Sequence, residues 1–259
     1  MKNIFQYLAK NIFLRSFSTY KNIKILDSIS SISDFFPYRN DQFITSYVLE
    51  NSLAMQSSKK CKFTGELIFF DRNGRVCYKK IIQFRGFDIS INLSDFKGSL
   101  DEFGGFFVNL IENDLNSKFI PKFRGYTGFS LSLDKFNSYV HGNFGALYKT
   151  SSNNFKSLAK ISNRFFYYTP QVILNTNQEF FILNPYQIDL SVDFYQNLNG
   201  NLELFEEKSI PPLGACIFKS GKKRLKGDFA LPTFRSKSPS LRAVIFEKCP
   251  NGSFDILHS

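Results

Sequence analysis

The stretch that most constrains this chain is residues 180–218, FFILNPYQIDLSVDFYQNLNGNLELFEEKSIPPLGACIF. Asn199-Gly200 stands between two runs of strand-forming residues. That dipeptide is the strongest short-range hairpin signal, because both turn positions need φ > 0 and these two residues adopt it cheaply. The stretch is predicted to form a strand, a turn at Asn184-Pro185, a second strand, a hairpin at Asn199-Gly200 and two further strands, which is half of a β-sandwich.

The same shape occurs earlier, in residues 63–92, around Asn73-Gly74. Setting Gly74 on Gly200 places Ile68 on Phe194, Phe69 on Tyr195, Asp71 on Asn197, Val76 on Leu202 and Phe84 on Ile210, so apolar and turn positions coincide with little residue identity. Two origins fit this coincidence: a duplicated sandwich unit, or two independent Asn-Gly hairpins with alternating apolar residues. Further hairpins are expected at residues 127–148, around His141-Gly142-Asn143, and at residues 243–257, with Pro250-Asn251-Gly252 at the tip.

All-β sandwiches commonly reach 259 residues as one unit, and 43% hydrophobic residues including 32 Phe and 12 Tyr suffice for a large core. The charged fraction of 21% is too low for a disordered chain. Cys61, Cys77, Cys216 and Cys249 show no CxxC spacing and no neighbouring histidine, so neither a zinc site nor a cofactor is indicated. Around the Asn73-Gly74 turn Cys77 is expected opposite Phe70 rather than Cys61, which argues for free thiols and a reducing compartment.

No stretch approaches the ~20 apolar residues of a membrane-spanning helix. The formal net charge of +11 is concentrated near the ends of the chain. Residues 1–26 hold five basic residues and no acid, and residues 208–248 hold ten against Asp228 and Glu247.

Along residues 1–24, Ile4, Phe5, Leu8, Ile12 and Phe13 recur at helical spacing among basic residues, predicting an amphipathic helix. It has three readings: a terminal helix packed on the sandwich, an organelle presequence, or a helix lying on anionic lipid. Residues 27–40 read as a Ser-rich connection in which Pro37 stops any helix. Residues 42–55 read as a first strand from the alternation of Phe43, Thr45 and Tyr47. FFVNLI after Gly104-Gly105 reads as a strand. Phe129, Leu131 and Leu133 alternating with Ser130 and Ser132 mark another, and the polar residues 151–160 suggest a boundary between two halves.

Chemistry-bearing motifs are sparse. There is no GxSxG, Walker loop, GxGxxG or HxxxH pattern, which disfavours the common nucleotide-using and hydrolase classes. His141, in YVHGNFG, is the candidate acid or base, expected at an exposed loop, and His258 lies next to the C-terminus. Arg124 and Tyr126 in FRGYTG, with Asn143, would complete a polar ligand site if their loops converge on His141. Lys219, Lys222, Lys223, Arg224 and Lys226 form a basic cluster suited to an anionic surface, with no RNP-like motif to indicate nucleic-acid recognition.

The sequence thus predicts an all-β protein of antiparallel sandwich type, with units over 41–150 and 151–259 that pack as one domain or two, after a helix and connection over 1–40. The leading functional expectation is a non-catalytic binding or assembly protein that engages a glycan or a protein partner. The alternatives are a loop-built enzyme acting on an anionic or sugar-like substrate through His141, and an organelle-targeted structural component. Aromatic edge strands also allow self-association into a homo-oligomer. The default compartment is the cytoplasm, with an organelle or the membrane periphery as the alternatives set by residues 1–24.

Overall fold

The computed structural model describes residues 29–50, 62–85, 88–113, 122–123, 125–131, 138–150, 155–157, 160–172, 174, 177–198, 200–220 and 230–258. The chain is all-β, as its sequence predicts. The first part contributes β1 (Ile29–Arg39), β2 (Ile44–Glu50), β3 (Lys62–Phe70), β4 (Val76–Arg85), β5 (Asp88–Asn92), β6 (Phe103–Asn113), β7 (Lys122–Phe123), β8 (Gly125–Ser130), β9 (Ser138–His141), β10 (Asn143–Thr150) and β11 (Phe155–Ser157). The second contributes β12 (Phe166–Tyr168), β13 (Gln178–Leu183), β14 (Leu190–Leu198), β15 (Asn201–Ile210), β16 (Ala215–Lys219), β17 (Ala230–Ser236), β18 (Ala243–Lys248) and β19 (Phe254–His258).

Four sheets result. Sheet I has the order β11-β10-β1-β6-β3-β4, with β7 parallel against β1, and sheet II is β5-β2-β8-β9. Sheet III is β12-β17-β14-β15 and sheet IV is β16-β13-β18-β19. Eight strands of the first pair of sheets correspond in order to the eight strands of the second, with β7, β10 and β11 additional. Reading β12 as β1, β13 as β2, β14 as β3, β15 as β4, β16 as β5, β17 as β6, β18 as β8 and β19 as β9 turns sheet III into the β1-β6-β3-β4 part of sheet I, and sheet IV into sheet II. The duplicated hairpin is therefore part of a repeated eight-stranded sandwich. Phe69 faces Tyr78 and Tyr195 faces Leu204, both at the sequence offset of the Gly74 and Gly200 alignment, and each hairpin carries one extra residue on its second strand, Cys77 and Phe205.

Alternation along the strands builds three cores. Phe36, Tyr38, Leu67, Phe69, Phe106 and Val108 of sheet I meet Tyr47 and Leu49 of sheet II. Phe194 and Phe234 of sheet III meet Phe180, Ile182, Phe218 and Ile245 of sheet IV, with the rings of Phe194 and Phe234 stacked at 4.9 Å. The third core joins the units. It takes Phe35, Ile68, Phe70 and Phe107 from the opposite face of sheet I, Phe43 and Phe129 from the end of sheet II, and Phe181, Leu183, Val244 and Phe246 from sheet IV. FFIL in β13 and AVIF in β18 have no polar positions because successive residues enter different cores.

Four expectations are corrected. Residues 29–39, read within a Ser-rich connection, are the interior strand β1. Phe35 and Phe36 are buried on opposite faces, and Pro37 fits because residues 36–39 pair with β6 alone. The strand expected along Phe129, Leu131 and Leu133 begins earlier, at Gly125, and ends at Ser130. His141-Gly142-Asn143 is not a hairpin tip. β9 pairs with β8 and β10 with β1, and Gly142 lets the chain cross between sheets where a Cβ would lie 2.7 Å from the Phe36 ring. Residues 155–157, in the stretch read as a boundary, pair with β10 as β11. The helix expected over residues 1–24 lies outside the described residues.

The turns at Asn184 and Gly74 are built differently. Asn184 is fully buried, and its amide donates to the carbonyls of Ile188, Ile210 and Pro211 at 2.8, 2.8 and 2.9 Å. Gly74, with φ +77°, docks the β3–β4 tip of the first unit onto the second, where an added Cβ would fall 1.7 Å from the Pro212 carbonyl oxygen. Next to it Ala215 N–H donates to the Arg72 carbonyl at 3.0 Å.

These differences give a graded prediction. Gly200 and Gly252 have φ of +90° and +81° with nothing within 4 Å of an added Cβ. Alanine at either is expected to cost about 1–2 kcal/mol, the penalty of the left-handed conformation. Gly74→Ala should exceed these by about 1–3 kcal/mol, because backbone of the other unit must move. Urea denaturation of the three variants checks the ranking.

Candidate functional site

Sheet II turns one face to the core and the other to solvent. Register places the solvent-facing residues in rows. One row runs Asn92, Ser46, Gly128 and Tyr139, and the next runs Val48, Tyr126 and His141. Tyr126 is 40% and Tyr139 49% exposed, and His141 is exposed at the end of edge strand β9. The Tyr126 and His141 rings lie 4.2 Å apart, tilted by 45°. Gly128 makes room for its partners in the same row, since an added Cβ would sit 2.6 Å from Ser46 Oγ and 2.7 Å from the Tyr139 ring. The result is a surface of two phenol rings and an imidazole, bordered by a hydroxyl and an amide.

Of the residues proposed from sequence, Tyr126 and His141 come together as a cross-strand pair. Asn143 is in β10 of sheet I, where its backbone pairs with Phe35. Arg124 lies outside the described residues. His141 ends a strand rather than occupying a loop, so it belongs to a flat sheet face. Tyr139 and Ser46 were missed, although the two-residue spacing of Tyr139 and His141 is the signal that would have put both on one face.

The basic cluster is described only at Lys219, because Lys222, Lys223, Arg224 and Lys226 lie outside the described residues. Lys219 Nζ is 3.2 Å from Glu179 Oε1, and this pair belongs to a second polar constellation at the junction of the units. Lys219, Glu179 and Phe246 form one cross-strand row of sheet IV. Arg39, only 2% exposed, closes over it from the first unit. Its guanidinium lies 4.6 Å above the Phe246 ring and 5.0 Å from that of Phe43, with Nη2 2.8 Å from Asp41 Oδ2. Arg39 Nη2 also contacts Glu179 Oε2. That oxygen accepts no aligned hydrogen bond, so the hold is Coulombic.

Burial pushes the Cys216 thiol up to about 12, with Lys208 opposing, and raises Cys77 as well, so both are protonated at neutral pH. Among the described residues no helix is long and apolar enough to cross a membrane. No model of a known protein family matches the chain, and no curated protein is significantly similar to it.

Arg39 carries a testable load. Arg39→Met strips a buried partner from Glu179 and Asp41 and is expected to cost about 3–5 kcal/mol. Adding Glu179→Leu removes the stranded carboxylate, and the double variant should regain about 1–3 kcal/mol relative to the sum of the singles. Denaturation midpoints of the four proteins give the coupling, and strict additivity would show that the pair does not tie the units together.

Proposed function

We propose that this chain is a saccharide-binding sandwich protein whose contact surface is the solvent face of sheet II. The observation that carries the reading is the exposed Tyr126, Tyr139 and His141 set around Gly128. A sugar ring presents an apolar C–H face rimmed by hydroxyls. Tyrosine matches it with an apolar ring and a polar tip, and histidine likewise. Ser46 and Asn92 lie in the same row as Tyr139, within reach of further hydroxyls. Fourteen Phe are buried in the three cores, whereas Phe165, Phe166 and Phe205 are exposed elsewhere; this face is distinguished by pairing two Tyr with a His.

Binding is checked by screening the full chain against a glycan panel and measuring the best ligand by calorimetry. Tyr139→Ala and His141→Ala are each expected to weaken it about tenfold, the worth of one good ring contact or hydrogen bond. Gly128→Ala should weaken it too, by lifting the Tyr139 ring. Unchanged affinity in all three would remove the reading, and capture of a protein partner by this face in their place would redirect it.

The close Tyr126–His141 contact also favours an enzymatic variant of the same site, with His141 as acid or base on the bound sugar. It requires turnover of the ligand that disappears in His141→Ala while binding persists in part.

A further inference from the structure

The junction row continues into an open cleft of about 310 Å³, near the lower end of small-ligand sites. Glu179 and Lys219 form part of its wall, with Gln42 from the first unit and Asn177, Lys248 and Phe254 from the second. Around this wall Arg39, Lys219 and Lys248 stand with Asp41, Glu179 and Glu247, and each acid is engaged: Asp41 by Arg39, Glu179 by Arg39 and Lys219, and Glu247 by the Gln178 amide at 3.0 Å. Lys248 makes no ion pair with any described residue. The side chain of Gln42 is exposed and makes no hydrogen bond with any described residue.

The cleft therefore offers an uncommitted ammonium group, a second one held by a carboxylate, two amides and one aromatic edge. Ammonium groups suit an oxyanion, amides suit hydroxyls, and a ring suits a carbon face.

We propose that this junction cleft binds a small anionic sugar derivative, with its phosphate or carboxylate on Lys248 and Lys219 and its hydroxyls on Gln42 and Asn177. The site is separate from the solvent face of sheet II and does not depend on it. Because both units contribute lining residues, occupancy also draws the first unit onto the second, and the ligand should stabilise the folded chain.

Calorimetric titration of the full chain with glucose 6-phosphate and with glucuronate tests the proposal and tells a phosphate source from a carboxylate source. Glucose and inorganic phosphate serve as references. At least one anionic sugar is expected to bind with a Kd of about 1 mM or tighter, with each reference about tenfold weaker. Lys248→Gln combined with Gln42→Ala should lower the affinity about tenfold, the loss of one charge-assisted and one neutral hydrogen bond. Both side chains are exposed, so circular dichroism should show an unchanged fold, and Lys248→Gln alone repeats the test if it does not. Tyr139→Ala should leave this binding unchanged while reducing saccharide binding to sheet II.

No binding of either anion, equal binding of glucose, full affinity in the double variant, or loss in Tyr139→Ala would each overturn the assignment.

Discussion

The two central strands of sheet IV meet protein on both faces, and much of the architecture follows from that. A strand in this position has no solvent side on which to put polar residues, so Phe180 to Leu183 and Ala243 to Phe246 are apolar at every step. Two cores have to be filled at once, one from sheet III and one from the first unit. Where the covered surface ends, the row Lys219, Glu179 and Phe246 needs a cap that satisfies a carboxylate and an aromatic face together. Arg39 does both, as a planar cation lies on a ring while its edge meets carboxylates. The same junction is sealed elsewhere by backbone, with Gly74 against Pro212 and Arg72 against Ala215.

Repetition of one topology in two settings shows how environment selects residues. Strands β5, β2, β8 and β9 are the counterparts of β16, β13, β18 and β19. In the second unit the outer face of that sheet is covered and carries Phe181, Leu183, Val244 and Phe246. In the first unit much of the equivalent face is open and carries Ser46, Tyr126, Tyr139 and His141. The fold is shared, while one copy has given its sheet face to the junction and the other has left much of it open. The two Asn-Gly hairpins share little residue identity because the pattern they preserve is inward-facing alternation and turn geometry.

Local signals carried the hairpins well. Gly74, Gly200 and Gly252 all have positive φ, but Asn73 and Asn251 do not: residues 72–74 and 250–252 form three-residue loops, with Gly74 N–H donating to the Asp71 carbonyl and Gly252 N–H to the Cys249 carbonyl, and such turns depend on neighbours in sequence. Strand β1 was illegible for the opposite reason: its serines and Pro37 read as a connection, and only β6, β7 and β10 converging on it make it an interior strand. Asn184 announced a turn but not its buried, three-carbonyl anchorage, two of whose acceptors lie more than twenty residues away. The candidate site was half legible. Tyr126 and His141 were chosen for their chemistry, yet which residues join them depends on the register of β8 with β9 and β2.

The sequence by itself determined an all-β chain and the glycine turns at Gly74, Gly200 and Gly252, since alternation and turn residues are local consequences of backbone sterics. Only the tertiary structure decided which sheet faces are covered, that Arg39 of one unit closes on Glu179 of the other, and that Tyr139 rather than Asn143 stands beside Tyr126 and His141. Those outcomes arise from burial and charge pairing between residues distant in the chain, and both depend on the register and stacking of sheets.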